Sequence, residues 1–176
     1  MILLVNGPNL NLLGEREPNV YGATTLPEIE AMVREACAPY GVEVKALQSN
    51  YEGALVDFLQ EHRHEAQGVI ANLGALTHTS YALHDCFKSL SCPVVEVHIS
   101  NVQAREEWRR KSVVAPATRG QIVGLGPSGY YFAAVWLCGQ IPAAADGIES
   151  AGVSPGELLV EGEPLPPPKP GPGEYE

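Results

Sequence analysis

Side chains that can move protons or bind anions occur in three separate stretches of the 176-residue chain. The stretches contain Asn6, Asn9, Asn11, Arg16 and Tyr21; Asn72, His78 and Ser80; and His98, Ser100, Asn101, Arg105, Arg109 and Arg110. Arginine binds carboxylates through paired N–H groups, and histidine and tyrosine are common proton donors and acceptors. The set is therefore typical of proton transfer on a small, polyoxygenated anion.

The motifs of several other chemistries do not occur in the sequence. No His, Cys or Asp residues have metal-ligand spacing, and neither a G-x-S-x-G elbow nor a P-loop motif is present. Residues 124–129 read G-x-G-x-x-G, but no strand pattern follows the helix after them. We interpret this segment as a tight strand-to-helix turn, and we predict neither a metal nor a cofactor.

The three polar stretches follow strands of a repeating βα pattern. Apolar runs predict strands over 2–5, 42–47, 68–71, 93–97 and 121–124. Helical spacing of apolar residues predicts helices between them, one beginning at the capping box Thr25-Leu-Pro-Glu28 and the next at Ser49-x-x-Glu52. We expect an α/β fold of the flavodoxin-like, doubly wound kind, with a five-stranded parallel sheet in the order 2-1-3-4-5 and helices on both faces.

Ligands in such a sheet bind at the carboxyl ends of the strands, near the point where the strand order reverses. That point lies between the first and third strands. The loops after strands one, three and four should therefore form the site, and these are the loops that carry the polar residues.

The last part of the chain differs from the rest in composition. Of the net charge of −10, most comes from residues 143–176, which hold seven acidic residues, one basic residue and seven of the fifteen prolines. We predict one catalytic domain over residues 1–142 and a flexible, acidic Pro/Gly-rich tail over 143–176. The acidic balance of the whole chain argues against nucleic acid and anionic membranes as partners, but because it belongs mostly to the tail it does not indicate what residues 1–142 bind.

Cysteine usage and the N-terminus bear on the compartment. Cys37, Cys86, Cys92 and Cys138 show no C-x-x-C spacing, which is typical of thiols in a reducing compartment. The first residues lack the pattern of a signal peptide, and no apolar run approaches the roughly 20 residues that span a bilayer. We therefore expect a cytoplasmic protein.

The loop motifs occur in one order along residues 1–141. They are Asn6-Gly-Pro-Asn-Leu-Asn-Leu-Leu-Gly14, Arg16-Glu-Pro18, Tyr21-Gly22, Gln48-Ser-Asn50 with Glu52-Gly53, Asn72-x-Gly-Ala-x-Thr-His-Thr-Ser80, Glu96-Val-His98, Ser100-Asn101, Arg105-Glu106 with Arg109, and Gly124-Leu-Gly126 with Gly129-Tyr130. Together they closely resemble type II 3-dehydroquinate dehydratase. The resemblance implies a cofactor-free lyase that converts 3-dehydroquinate to 3-dehydroshikimate by anti elimination through an enolate. It also implies the shikimate pathway of chorismate and aromatic amino acid biosynthesis, and a homododecamer built as a tetramer of trimers.

The same resemblance implies the catalytic roles. Tyr21 is the base that removes the proton beside the ketone, and Arg16 favours its phenolate form. His98 is the acid that protonates the departing hydroxyl. Glu96, two residues before His98 in the strand, faces the same side, where it orients the imidazole and keeps it protonated. Asn9 holds a water at the enolate oxygen.

Substrate binding is implied for a further set of residues, namely Asn72, His78, Asp85, Ile99, Ser100 and Arg109. Asn72 and the backbone at Ile99 and Ser100 resemble the carboxylate site, and His78 and Arg109 resemble the hydroxyl contacts. Asp85 resembles a residue that reaches a neighbouring subunit's site, although an exposed helix charge is an alternative. Arg105 belongs to the lid region or to an ion pair with Glu106 or Glu107. Leu73 stands where the family usually has proline, which suggests a looser loop around Asn72.

Three alternatives stay open at this level. One is a flavodoxin-like binding module that has lost catalysis, against which the retained Arg16, Tyr21, His78, His98 and Arg109 argue. A second is a flavin or nucleotide binder of the same fold. The third is the same dehydration used in quinate breakdown.

Overall fold

The computed structural model of the chain contains one sheet with the strand order β2-β1-β3-β4-β5. Its parallel strands are β1 Ile2–Asn6, β2 Val44–Gln48, β3 Gly68–Asn72, β4 Val94–His98 and β5 Gly120–Val123. The predicted strand order is confirmed. The structure describes residues 1–15 and 23–142. The predicted tail, and the positions of Arg16 and Tyr21, lie outside the described residues.

Helices cover both faces of the sheet: α1 Leu26–Cys37, α2 Glu52–Glu61, α3 Tyr81–Lys88 and α4 Ser128–Cys138. The predicted capping interaction of α1 is confirmed, because the Glu28 carboxylate accepts from the backbone N–H and the hydroxyl of Thr25, at 2.7 and 2.8 Å. The predicted start of α2 at Ser49 is wrong. The Ser49 hydroxyl accepts from the Tyr51 N–H at 3.0 Å and closes a turn instead, so the helix begins at Glu52.

Alternation along the strands divides the core into two layers. On one face, Ile2, Leu4, Ile70, Val95 and Val97 pack against α1 and α4. On the other face, Leu3, Val5, Val69, Ala71 and Val94 pack against α2 and α3. Because successive side chains of a strand point to opposite faces, both layers come from the same continuous apolar runs.

The same alternation assigns a face to the polar residues at the strand ends. Asn6 and Asn72 lie two residues after Leu4 and Ile70 and so share their face, toward α1 and α4. Glu96 and His98 lie two and four residues after Val94 and so share its face, toward α2 and α3. Two polar groups therefore approach one end of the sheet from opposite faces.

All four cysteines lie within the described ranges, and all four are free thiols. Burial, reinforced by the neighbouring thiol of Cys138, raises the pKa of Cys37 to about 12. Across residues 1–15 and 23–142, no helix has the length and apolar character needed to cross a membrane.

Candidate active site

A pocket opens at the carboxyl ends of β1, β3 and β4, where the strand order reverses. The predicted site residues that line it are Asn9, Asn72, His78, His98, Ile99, Ser100 and Arg109. They come from the loops after these three strands, the loops that the βα pattern indicated. Arg105 also lines the pocket.

The remaining predicted residues lie elsewhere. Glu96 is fully buried beside His98. Asp85 is exposed on α3 and is not among the residues that line the pocket of its own chain. Arg16 and Tyr21 belong to the undescribed segment 16–22.

His98 and Glu96 form a closely hydrogen-bonded pair, with His98 Nε2 at 2.8 Å from Glu96 Oε1. The His98 side chain is only 7% exposed and that of Glu96 is 0% exposed. Because the carboxylate accepts, Nε2 carries a hydrogen, and Nδ1 is the ring nitrogen left for a ligand. A charged histidine in this place can donate one proton from Nδ1 while Glu96 holds the ring.

Three further donors surround the Glu96 carboxylate. The Thr77 hydroxyl donates to Oε1 at 2.5 Å, and the Gln121 amide donates to Oε2 at 2.7 Å. The Ser112 hydroxyl lies 3.0 and 3.1 Å from the two oxygens. Burial raises the pKa of Glu96, but the hydrogen bonds from His98, Thr77 and Ser112 outweigh it and hold the pKa below its ordinary value of 4.5. Glu96 is therefore an ionised carboxylate inside the protein.

Thr77, Ser112 and Gln121 were not among the predicted site residues. Gln121 could have been found from the sheet, because it is the β5 partner of Glu96 in the parallel register. Thr77 lies in the short helical turn Gly74–His78, and Ser112 lies in an irregular segment, so neither has a periodic signal. A second cavity borders the same residues and is lined in part by His98, Ser112 and Gln121.

His78 and Arg109 are held by groups outside the pocket. His78 Nδ1 donates to the carbonyl of Lys111 at 2.7 Å, which leaves Nε2 as an acceptor in the neutral ring. The Arg109 guanidinium lies 4.0 Å above the Trp108 ring, and that ring packs edge-on against His78 at 5.2 Å. These contacts fix both side chains before any ligand arrives.

Glu106 pairs with two arginines of the pocket. Its carboxylate lies 2.8 Å from Arg109 Nε and 3.6 Å from Arg105 Nε. The hydrogen bond from Arg109, with smaller contributions including the charges of both arginines, lowers the pKa of Glu106. Arg105 Nη1 also donates to the Ser100 hydroxyl at 3.3 Å. The ion-pair alternative for Arg105 is thus present, and the same residue lines the pocket.

The loop after β1 holds Asn9 in a left-handed conformation, with φ of 68°. Asparagine tolerates this region better than most residues, which suits it to this turn. The Asn9 N–H donates to Asn50 Oδ1 at 2.9 Å, and Gln48 Nε2 donates to the same oxygen and to the Gly7 carbonyl, each at 3.2 Å. The residues at the end of β2 and just after it therefore support the site rather than line it.

The loops after β1 and β3 touch backbone to backbone. Gly7 donates to the Asn72 carbonyl at 2.8 Å, and a Cβ on Gly7 would lie 2.2 Å from the Leu73 carbonyl oxygen. Leu73 is itself fully buried in the layer beside α2 and α3. The Leu73 side chain therefore packs into the core, and the looser loop around Asn72 stays a prediction.

Comparison with known proteins gives one consistent result. A family model described as dehydroquinase class II matches residues 1–138. The 3-dehydroquinate dehydratase of Roseiflexus castenholzii is 54% identical over 138 residues, which are 78% of this chain and 88% of that protein. The 3-dehydroquinate dehydratase of Thermus thermophilus is 49% identical over 148 residues, which are 84% of this chain and 99% of that protein.

Solved structures agree with the sequence relatives. The crystal structure of type II dehydroquinase from Butyrivibrio crossotus is similar with a TM-score of 0.75 and 47% identity, over 77% of this chain and 95% of that chain. A 3-dehydroquinate dehydratase-like protein from Bifidobacterium longum is similar with a TM-score of 0.59 and 28% identity, over 78% of this chain and 94% of that chain.

Proposed function

The chain belongs to the class II dehydroquinase family, and on that premise we propose that it is a lyase that dehydrates 3-dehydroquinate to 3-dehydroshikimate. The observation that carries the proposal is the buried pair of His98 and ionised Glu96 at the edge of a pocket lined by amides and arginines. An acid is needed at this place because the hydroxyl of the substrate departs as water.

The reaction needs two proton transfers. A base removes the proton beside the ketone, and the electron pair of that C–H bond moves into the enolate. The enolate then collapses, the new carbon–carbon double bond forms, and the C–O bond to the hydroxyl breaks as that oxygen takes a proton from the acid. Tyr21, aided by Arg16, is the proposed base, and His98 Nδ1 is the proposed acid. Asn9 stabilises the enolate oxygen through a bound water.

Glu96 makes His98 a competent acid in two ways. Its 2.8 Å hydrogen bond holds Nε2, so the ring presents Nδ1 to the substrate. Its buried negative charge lies next to the ring, in the place that an orienting carboxylate takes beside other catalytic histidines. Thr77, Ser112 and Gln121 keep the carboxylate ionised by hydrogen bonding.

The remaining pocket residues bind the substrate. Asn72 with the backbone of Ile99 and Ser100 receives the carboxylate, and His78 and Arg109 receive the hydroxyls. A carboxylate is the charge that a pocket bordered by Arg105 and Arg109 favours.

The direct experiment follows the absorbance of the conjugated product in the near ultraviolet. Purified protein mixed with 3-dehydroquinate in buffer containing a chelator should produce a steady rise, because the mechanism uses only side chains. The same chain with His98→Asn should produce a rise that is slower by a factor of about 10² or more. A flat trace from the unaltered, folded protein contradicts the proposed function.

The enzyme acts in the shikimate pathway, as a homododecamer made of four trimers in the cytoplasm. Membership of the family supports the pathway and the assembly, and the four free thiols suit a reducing compartment. Asp85 on the exposed face of α3 contributes to the site of a neighbouring subunit. Light scattering tests the assembly, since a stable monomer with full turnover contradicts it.

A further inference from the structure

A second polar group lies under the pocket, on the face of the sheet opposite Glu96. It consists of Asn6 at the end of β1, Asn72 at the end of β3 and Tyr130 on α4. Asn6 and Asn72 are partners in the parallel register, and the three residues are at most 4% exposed. Asn72 Nδ2 donates to the Tyr130 hydroxyl, and that hydroxyl donates to Asn6 Oδ1, each at 2.8 Å.

The backbone N–H of Gly74 determines which groups donate and which accept in this chain of hydrogen bonds. The Gly74 N–H donates to Asn72 Oδ1 at 3.2 Å, so this oxygen faces the backbone and Nδ2 faces Tyr130. Because Tyr130 accepts from Asn72, its own hydrogen points to Asn6 Oδ1. Asn6 Nδ2 then has no hydrogen-bond partner among the described residues. A buried amide is thus left unsatisfied while the orientation of Asn72 is fully specified.

The orientation of Asn72 matters because its side chain is part of the pocket lining. An amide nitrogen has two hydrogens, and Tyr130 takes one of them. The second is free to meet an anion. If the amide turned over, its oxygen would replace the nitrogen and repel a carboxylate.

Tyr130 is well suited to hold the amide in one orientation. Its ring is fully buried on α4, and Gly129 beside it lets the helix approach Val97 and Ile122 closely. Burial raises the pKa of Tyr130, so the hydroxyl keeps its hydrogen and is not a base. It therefore serves at once as an acceptor for Asn72 and as a donor to Asn6.

We propose that Tyr130 is a positioning residue that fixes the Asn72 amide with an N–H directed at the substrate carboxylate, and that Asn6 fixes Tyr130. This inference rests on the proposed function, since it takes the ligand to be the carboxylate of 3-dehydroquinate. The role differs from that of His98 and Glu96, because it concerns binding and not proton transfer.

The test compares Tyr130→Phe with Tyr131→Phe, its neighbour on the exposed side of α4. Tyr130→Phe should weaken the binding of quinate, measured by calorimetry, and raise KM, each by about tenfold. Its kcat should change by less than about threefold, because the lost interaction stabilises the bound substrate and the transition state equally. Tyr131→Phe should alter both quantities by less than about twofold. An unchanged affinity for quinate in folded Tyr130→Phe, or a loss confined to kcat, overturns the inference.

A double-mutant cycle shows whether Tyr130 acts through Asn72. In an Asn72→Ala background, Tyr130→Phe should change the quinate affinity by less than about twofold. Full additivity overturns the inference. If Tyr130→Phe does not fold, Asn6→Ala replaces it, because the freed Tyr130 hydrogen can then favour the reversed Asn72 amide and weaken quinate binding. Unchanged binding in that variant also overturns the inference. Turnover by the unaltered chain tests the proposed function separately.

Discussion

Gln121 on β5 and Glu96 on β4 are partners in the parallel register, and the Gln121 amide nitrogen donates to the Glu96 carboxylate across 2.7 Å. Glu96 in turn holds His98. The proposed acid His98 therefore depends on a strand that contributes no residue to the pocket at the ends of β1, β3 and β4. This dependence gives the first prediction.

Gln121→Leu should lower kcat/KM by about tenfold, because one of the hydrogen bonds to a buried charge is lost. With one donor fewer, the pKa of Glu96 rises, so the acid limb of the pH–rate profile should move to higher pH. Both quantities come from initial rates measured across a pH series. Gln60→Leu, on the exposed surface of α2, is the matched control. A Gln121→Leu profile that superimposes on the parent's contradicts this arrangement.

The pH dependence of stability should contain a contribution from Glu96. Because its folded pKa lies below 4.5, the ionised carboxylate stabilises the fold above that pH, and the stabilisation is lost as the pH falls further. The glutamine side chain of Glu96→Gln cannot ionise. Its amide nitrogen is a hydrogen-bond donor placed among groups that are themselves donors. The free energy of unfolding of this variant should be lower at pH 7 by about 1–3 kcal/mol, and it should fall less than that of the parent as the pH is lowered.

Denaturant unfolding at a series of pH values measures this difference. Glu35→Gln, on the exposed surface of α1, should follow the unaltered protein at every pH. If Glu96→Gln shows the full acid dependence of the parent, the acid sensitivity arises from other groups.

His98→Ala and Tyr21→Phe should each reduce kcat by about 10²–10⁴, the usual contribution of a general acid or base. Both variants should still bind quinate, because neither residue is assigned to the carboxylate. Initial rates and calorimetry on the same preparations separate the two properties. His64→Ala, an exposed histidine after α2, should retain the parent rate. Near-parent turnover in either test variant means that its assigned role is wrong.

Gly7→Ala should destabilise the domain by about 1–3 kcal/mol and lower turnover. The new Cβ would lie 2.2 Å from the Leu73 carbonyl oxygen, so the loops after β1 and β3 must separate and displace Asn9 and Asn72. Gly53→Ala is the matched control, because nothing lies within 4 Å of its added Cβ on α2. That control should be neutral or stabilising by up to about 1 kcal/mol. If thermal unfolding of the two variants has the same midpoint, the loops after β1 and β3 separate without loss of stability and the prediction is contradicted.

Removal of residues 143–176 should leave kcat and KM unchanged. We expect this because the residues assigned to the site all precede position 143. Kinetics and light scattering of the truncated and full chains are the comparison. A large loss of rate would assign the tail a part in the site or in the assembly.

Much of the fold follows from local pattern. Runs such as Leu3–Leu4–Val5 separate the strands from the helices, and the position of polar residues after β1, β3 and β4 identifies the pocket. The pairing of Glu96 with His98 follows from the two-residue repeat of a strand. These features need only short stretches of sequence.

Other parts of the site depend on contacts between distant elements. Tyr130 lies 124 residues from Asn6. Its helical spacing indicates a core position and the resemblance places it in the motif Gly129-Tyr130, but neither predicts its contacts with Asn6 and Asn72. Ser112 lies in an irregular segment without a period that could place it beside Glu96. The start of α2 was misplaced because Ser49 can cap either a helix or a turn, and the sequence does not distinguish the two.

β5 is the last strand of the described sheet, four residues long, and pairs there with β4 alone. Opening such an edge locally costs less free energy than unfolding the whole domain. Such an opening would remove Gln121 from Glu96, and Gln121 also lines the adjoining cavity. We therefore expect warming to separate Gln121 from Glu96 at this sheet edge first, so that activity declines at a lower temperature than the cooperative loss of structure.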